Sequence, residues 1–299
     1  MQPNFLARLL VSRQLRSGGW SYFGSEQSSV EATTLAVMAL GTESPDAARS
    51  GLDQLSRLQR RDGAWPAFIG DTDSSWTTAL VLCALNGTGE SASAREEAFH
   101  WLMSERGREG HWLWRWKFKT ADRNVRFDPD KYGWPWESGS ASWVIPTAFS
   151  IIALKQYTVC NRLEASEKRI RLGVEMLLDR VCVAGGWNSG NSVVHGVPLR
   201  PHVEATAIAL LALQDERQSD LTQRSLAWLK KEATQISSIS SLAWSILSLF
   251  VYQESVEALK ERLAAILGDG REIRNNASLA TALLALKCGE MVHPFVVPR

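Results

Sequence analysis

The feature that most constrains this chain is an apolar block that recurs along it. It reads VEATTLAVMAL from Val30 to Leu40, SWTTALVLCAL from Ser75 to Leu85, VIPTAFSIIAL from Val144 to Leu154 and VEATAIALLAL from Val203 to Leu213. Each block carries a threonine seven positions before its closing leucine, at Thr33, Thr78, Thr147 and Thr206. A Gly-x-Trp element and a polar loop precede each one: Gly18-Gly19-Trp20, Gly63-Ala64-Trp65, Gly110-His111-Trp112 and Gly185-Gly186-Trp187. Two weaker copies, SSLAWSILSLF from Ser240 and ASLATALLALK from Ala277, lack that element. Self-similarity at such spacing marks an array of one supersecondary unit.

The blocks are apolar nearly all round, which predicts helices buried on every face. Amphipathic segments alternate with them, at 4–15, 45–60, 92–107, 164–180, 221–233 and 256–268, with apolar residues at i, i+3, i+4 and charges opposite. Six buried helices alternating with six amphipathic ones have a natural solution, an inner ring surrounded by an outer one. The expected fold is therefore all-α, an α/α toroid (an α6/α6 barrel) formed by residues 1–299 as one domain. A Trp/Arg-rich insertion at 108–142 interrupts the third repeat. Closure is inferred from the repeat count and from the lack of a distinct capping sequence; an open solenoid uses the same alternation.

Lys+Arg number 33 against 32 Asp+Glu, a net charge of +1, which gives no electrostatic basis for nucleic-acid binding. No run reaches the ~18 apolar residues of a membrane span. Arg8, Arg13 and Arg16 interrupt any signal-peptide core, so a cytoplasmic protein is expected. Cys83, Cys160, Cys182 and Cys288 are isolated, which predicts neither a disulfide framework nor a metal site. No cofactor is expected.

Gln14-Leu-Arg-Ser-Gly18-Gly19-Trp20 and Gln59-Arg-Arg-Asp-Gly63-Ala64-Trp65 both fit Q-x3-G-x-W. This resembles the QW motif of squalene-hopene cyclases and related class II terpene cyclases. Their wider superfamily of α/α toroids includes the β subunits of protein prenyltransferases. The third and fourth repeats keep Gly and Trp but carry Arg106 and Val181 in place of Gln. In physical terms the Gln amide can bond orphan backbone groups at a helix end while the Trp covers the turn into the next helix.

The resemblance implies a proton donor at the start of an inner helix, in a DxDD motif that this chain lacks. The nearest string, Asp71-Thr72-Asp73-Ser74-Ser75, keeps two of the acids. Counting nine residues back from the closing leucine, the donor position holds Glu31, Trp76, Ile145 and Glu204. The candidate catalytic residues are thus Glu31, Glu204, Asp71 and Asp73, with His202 placed to hydrogen-bond an acid across the opening. An acid that protonates an alkene must be held neutral by its surroundings, whereas a helix N-terminus favours the carboxylate and accepts acids as caps. The zinc triad of the prenyltransferases is not matched, since no cysteine sits beside an aspartate near His202.

Six of the thirteen tryptophans fall in one stretch: Trp112, Trp114, Trp116, Trp134, Trp136 and Trp143. The alternation Trp-x-Trp-x-Trp with basic residues between reads as a short strand or hairpin arm with one aromatic face. Arg123, Arg126 and Lys131 follow it. Such an arm can line a lipid-binding cavity, with aromatic faces toward a carbocation and with the basic residues on an anionic head group. It can instead dock a protein or a membrane surface. The leading expectation is a terpene-cyclase-like protein that encloses an isoprenoid or other hydrophobic small molecule and isomerises or cyclises it by protonation. The alternative is a non-catalytic toroid that binds a lipid or partner protein, or touches a membrane peripherally, through the arm.

Overall fold

The computed structural model describes residues 3–24, 27–89, 91–120, 127–161, 166–268 and 273–298. Among these, thirteen α-helices follow in order: α1 (Pro3–Ser12), α2 (Val30–Leu40), α3 (Pro45–Leu58), α4 (Thr77–Thr88), α5 (Ala92–Ser104), α6 (Trp112–Thr120), α7 (Val144–Asn161), α8 (Glu167–Asp179), α9 (Val203–Ala212), α10 (Asp220–Ala233), α11 (Ile239–Val251), α12 (Glu257–Gly268) and α13 (Asn276–Leu286). A small hairpin, β1 (Val193–Val194) with β2 (Val197–Pro198), lies in the loop before α9.

The repeated apolar blocks form α2, α4, α7, α9, α11 and α13. Each packs on the next, and α13 returns to pack on α2, so the inner ring is closed. The amphipathic helices α1, α3, α5, α8, α10 and α12 pack outside it. This is an α/α toroid.

The seam of the ring is hydrogen-bonded at both ends. Asn276 donates its side-chain amide to Ser21 O at 2.8 Å and its backbone N–H to Tyr22 O at 2.9 Å. Arg13 donates to Ile273 O and, at 3.2 Å, to Asn276 Oδ1. At the opposite end Lys287 pairs with Glu43.

One hydrogen-bonding device recurs in four repeats and explains their shared residues. The backbone N–H of Trp20, Trp65, Trp134 and Trp187 donates to Thr33, Thr78, Thr147 and Thr206 Oγ1, each at 2.9 Å. The four indole N–H groups donate to the carbonyls of Leu10, Leu55, Leu102 and Leu177, at 2.6–2.8 Å. These carbonyls are left over near the C-terminal ends of the outer helices, where no intrahelical donor remains. Gln14 adds bonds to Gly18 O and Ala47 O, and Gln59 to Gly63 O and Ala94 O, tying each turn to the next outer helix. The turn needs glycine: Gly63 has φ +88°, and a Cβ there would lie 2.6 Å from Glu97 O.

The third tryptophan in this device is Trp134, which corrects the sequence assignment to Trp112. The insertion separates Leu102 from its tryptophan by 32 residues instead of ten. The spacing that survives is on the other side: Trp20, Trp65 and Trp134 each stand 13 residues before their threonine. The missing glutamine is replaced from the opposite side by buried Arg169 of α8. It donates to Gly133 O at 2.8 Å and Glu105 O at 2.9 Å and stacks 3.4 Å over the Trp134 ring.

The lower end of the ring is closed by the segment 291–298. Phe295 is fully buried and touches Phe149 of α7 and Trp244 of α11, with ring centroids 5.7 and 5.2 Å apart. Gln156 donates to Pro294 O and Val296 O, and Gln214 to Phe295 O. His293 is buried and neutral, with Nε2 3.2 Å from Leu247 O while Nδ1 accepts from Phe295 N. Burial pushes its imidazole down to about 4 from an ordinary 6.5. A base held below its usual value loses stabilisation as pH falls, because the released segment takes up the proton first. Hydrogen exchange at the Phe295 and Val297 amides is therefore expected to accelerate as pH drops from about 6.5 towards 4, after correction for intrinsic rates. Protection that is flat across that window would contradict the burial of a neutral His293.

Candidate active site

The upper mouth of the ring is where the inner helices begin. In α2 every residue except Glu31 is buried, and in α9 every residue except Glu204. The repeat places these two carboxyls at equivalent helix starts, and the closed ring brings them near enough for Glu31 to feel the charge of Glu204. The Tyr22 hydroxyl donates to Glu31 Oε2. Ser240, at the start of α11, donates to Glu204 Oε2 at 3.2 Å.

Although both acids are only half-buried, desolvation by the protein packed around them is the largest influence on each. It pushes Glu31 up to about 7 from an ordinary 4.5, against the Tyr22 hydrogen bond, which favours the carboxylate; the charge of Glu204 pushes it further up. Glu204 is likewise raised by burial, opposed by its bond from Ser240. Desolvation thus outweighs the helix N-terminus at these sites. The result is a carboxyl that carries its proton near neutrality, beside a second acid.

Aromatic rings surround this end. Tyr22 meets Phe68 edge-on at 5.7 Å. Trp76, which holds the donor position of the second repeat, meets Trp136 of the insertion edge-on at 5.1 Å and Phe149 at 5.6 Å. Below them the axis is filled by Phe149, Trp244 and Phe295, all buried. The ring interior beneath the acids is a packed aromatic column.

The other sequence candidates separate from this pair. Asp71 accepts from Phe68 N at 2.9 Å and closes its own exposed turn, and Asp73 is exposed. Neither is hydrogen-bonded to Glu31 or Glu204, and both belong to the exposed turn before α4. His202 does not bridge to an acid; its side chain is exposed and lines a lateral cavity whose walls do not include Glu204.

The stretch expected as a strand or hairpin arm is helix α6. On a helix the alternating tryptophans split between faces. Trp112 and Trp116 point outward, 72% and 63% exposed, and line no cavity described above. Trp114 is half-buried beneath the cations of Arg108 and Lys117, each 4.7 Å from the ring. Trp134 serves the turn, Trp136 reaches the mouth, and Trp143 lines the lateral cavity. Lys131 pairs with Asp128 and Asp179. Arg123 and Arg126 lie outside the described residues.

Sequence reading missed Tyr22 and Ser240, the partners of the two acids. Tyr22 carries a weak signal, two residues after the Trp20 of the turn. Ser240 carries a better one, since it falls at the donor offset in the fifth repeat. Among the described residues no three potential metal ligands come together, and no helix is long and apolar enough to cross a membrane.

No family model matches the chain, and no curated protein matches it. Solved structures do. An α-amylase from Clostridium perfringens aligns over 96% of this chain and 97% of its own, with a TM-score of 0.63 and 11% identity. Endoglucanase Cel10, a family 8 glycosyl hydrolase from Klebsiella pneumoniae, aligns over 96% and 100%, at 0.60 and 12%. The type II terpene cyclase MstE from Scytonema aligns over 75% and 61%, at 0.47 and 15%. The fold is an α/α toroid, and two half-buried carboxyls, Glu31 and Glu204, stand at equivalent inner-helix starts.

Proposed function

We propose that this protein is a general-acid catalyst of the terpene-cyclase kind, in which Glu31 protonates an isoprenoid held against the aromatic mouth of the toroid. The observation that carries this reading is Glu31 itself: the one residue of α2 left only half-buried, hydrogen-bonded by Tyr22 at the donor position of its repeat, with desolvation raising its carboxyl to about 7. Delivery of that proton to an alkene carbon leaves a carboxylate at Glu31 and a carbocation on the substrate. The faces of Tyr22, Trp76 and Trp136 are suited to stabilise such a cation. Loss of a proton from a neighbouring carbon to a carboxylate, Glu31 itself or Glu204, completes an isomerisation or cyclisation with atoms and charge balanced.

A second reading is favoured by the paired carboxyls and the filled axis. The same proton delivered to a glycosidic oxygen, with Glu204 facing the oxocarbenium ion, is the chemistry of a glycosidase. The amylase and the endoglucanase share this fold.

Purified protein is incubated with squalene, with prenyl diphosphates and with α- and β-glucans, and the products are read by mass spectrometry. A cyclised or isomerised isoprenoid that disappears in Glu31→Gln supports the first reading. Released sugar that disappears in the same variant replaces it with the second. Neither product from folded protein overturns both and leaves a non-catalytic binding toroid.

A further inference from the structure

The lateral cavity lies between the insertion and the loop that carries β1 and β2. It has a volume of about 460 Å³ and is walled by Phe118, Phe127, Trp143 and Leu199, with Arg180 at its floor and Arg200 at its rim. That volume falls in the range of small-molecule sites, ~300–1,000 Å³. Gly190 allows the Trp143 indole to lie against backbone, since a Cβ there would sit 3.2 Å from the ring.

The floor is built around a buried charge. Arg180 is 2% exposed, and Glu109 opposite it is 1% exposed. Arg180 Nη1 donates to Asn191 Oδ1 at 2.6 Å, and its ring-face contact is Phe127 at 4.4 Å. Its approaches to Glu109 and Asp179 are longer, 3.6 and 3.7 Å. Glu109 is in turn held by the Ser142 N–H, 3.2 Å from both of its oxygens. The Nε–H of Arg180 has no hydrogen-bond partner. A guanidinium out of water is stabilised only when its donors are satisfied. The Nε of Arg180 stands on the side of Asp179, and the cavity lining itself presents Arg180 and Arg200 against the one carboxylate of Glu109.

We infer that this cavity is a binding site for an amphipathic anion, a flat apolar body carrying a single carboxylate, sulfonate or similar head group. The apolar body lies among Trp143, Phe118 and Phe127. The head group meets the exposed Arg200 at the rim, with the charge of Arg180 behind it in the cavity floor. The site does not depend on the chemistry at Glu31, which lines no part of it. Its two walls come from segments that the repeat does not require, the insertion and the β1–β2 loop, which is where a rigid scaffold carries variable recognition.

The probe is 1-anilinonaphthalene-8-sulfonate, titrated into the full chain and followed by its fluorescence. One saturable site is expected, competed by decanoate and not by decanol. Arg200→Ala, at an exposed position, is expected to weaken the dye at least fivefold, and Phe118→Ala by a similar factor. The paired variant Trp112→Ala/Trp116→Ala, which removes the exposed face of α6, is expected to leave binding unchanged. Thermal melts of each variant establish that it is folded. Equal competition by decanol, unaltered affinity in Arg200→Ala, or loss of binding only in the Trp112/Trp116 variant would each overturn the inference.

Discussion

Trp134→Ala is expected to destabilise the protein by about 4 kcal/mol, whereas Trp112→Ala is expected to change it by no more than about 0.5 kcal/mol. The two residues are the rival candidates for the third turn of the repeat. Trp134 is 1% exposed, donates to Leu102 O at 2.8 Å, and has Arg169 stacked on its face. Truncation leaves a cavity, an orphaned helix-end carbonyl and a buried guanidinium without its cover. Trp112 is 72% exposed and forms no part of the ring. For a chain of this size the larger change corresponds to a loss of melting temperature on the order of 10 °C. Comparable melting temperatures for the two variants would refute the placement of the insertion between α5 and its tryptophan.

Glu31→Gln is expected to lower turnover by about 10²- to 10⁴-fold, the range for loss of a positioned general acid. The same substitution is expected to stabilise the protein at pH 8. Folding holds the Glu31 carboxyl at about 7, above the ordinary 4.5, so the folded chain binds the proton more tightly than the unfolded one. Stability is then lost as pH rises from about 4.5 to about 7, and glutamine, which does not ionise, escapes that loss. The gain at pH 8 should be on the order of 2 kcal/mol and should vanish near pH 4, measured by urea denaturation at both values. In the wild type the rate should fall above about pH 7. Tyr22→Phe removes the hydrogen bond that favours the carboxylate, so it should move that limb to higher pH. A Glu31→Gln variant less stable than wild type at pH 8 would show that the carboxyl is not held neutral.

Most of the ring was legible in the sequence, and the reason is periodicity. A helix buried on all faces tolerates almost nothing but Ala, Leu, Val and Ile, so VEATTLAVMAL and VEATAIALLAL announce themselves and even display the two exceptions, Glu31 and Glu204. The recurring threonine was visible too, although its role as acceptor for the tryptophan N–H needs the three-dimensional turn. The insertion was misread because a Trp-x-Trp-x-Trp string fits a strand pattern as well as a helix carrying aromatics on several faces. Nothing local separates these; the packing of Phe118 against Phe127, at 5.3 Å, belongs to tertiary structure. Asp71 and Asp73 looked like a remnant of a catalytic motif because sequence proximity to a helix start cannot distinguish a half-buried acid from one in an exposed turn. The lateral cavity was legible only in part: the Gly- and Asn-rich loop at 185–201 carries the mark of a functional loop, but Glu109, Arg180 and Arg200 come from three separate segments.

The seam between α13 and α2 has a consequence for how the molecule assembles. Each helix pair can form from residues close in sequence, but Asn276 meets Ser21 across 255 positions, so this contact bears most of the loop-closure entropy. Before it forms, the chain is an open spiral whose first and last inner helices each present an apolar face without a mate. Those faces are complementary to each other within one chain and equally between two chains. Protein concentration during refolding therefore sets a competition between an intramolecular closure and a domain-swapped pair that satisfies the same hydrogen bonds.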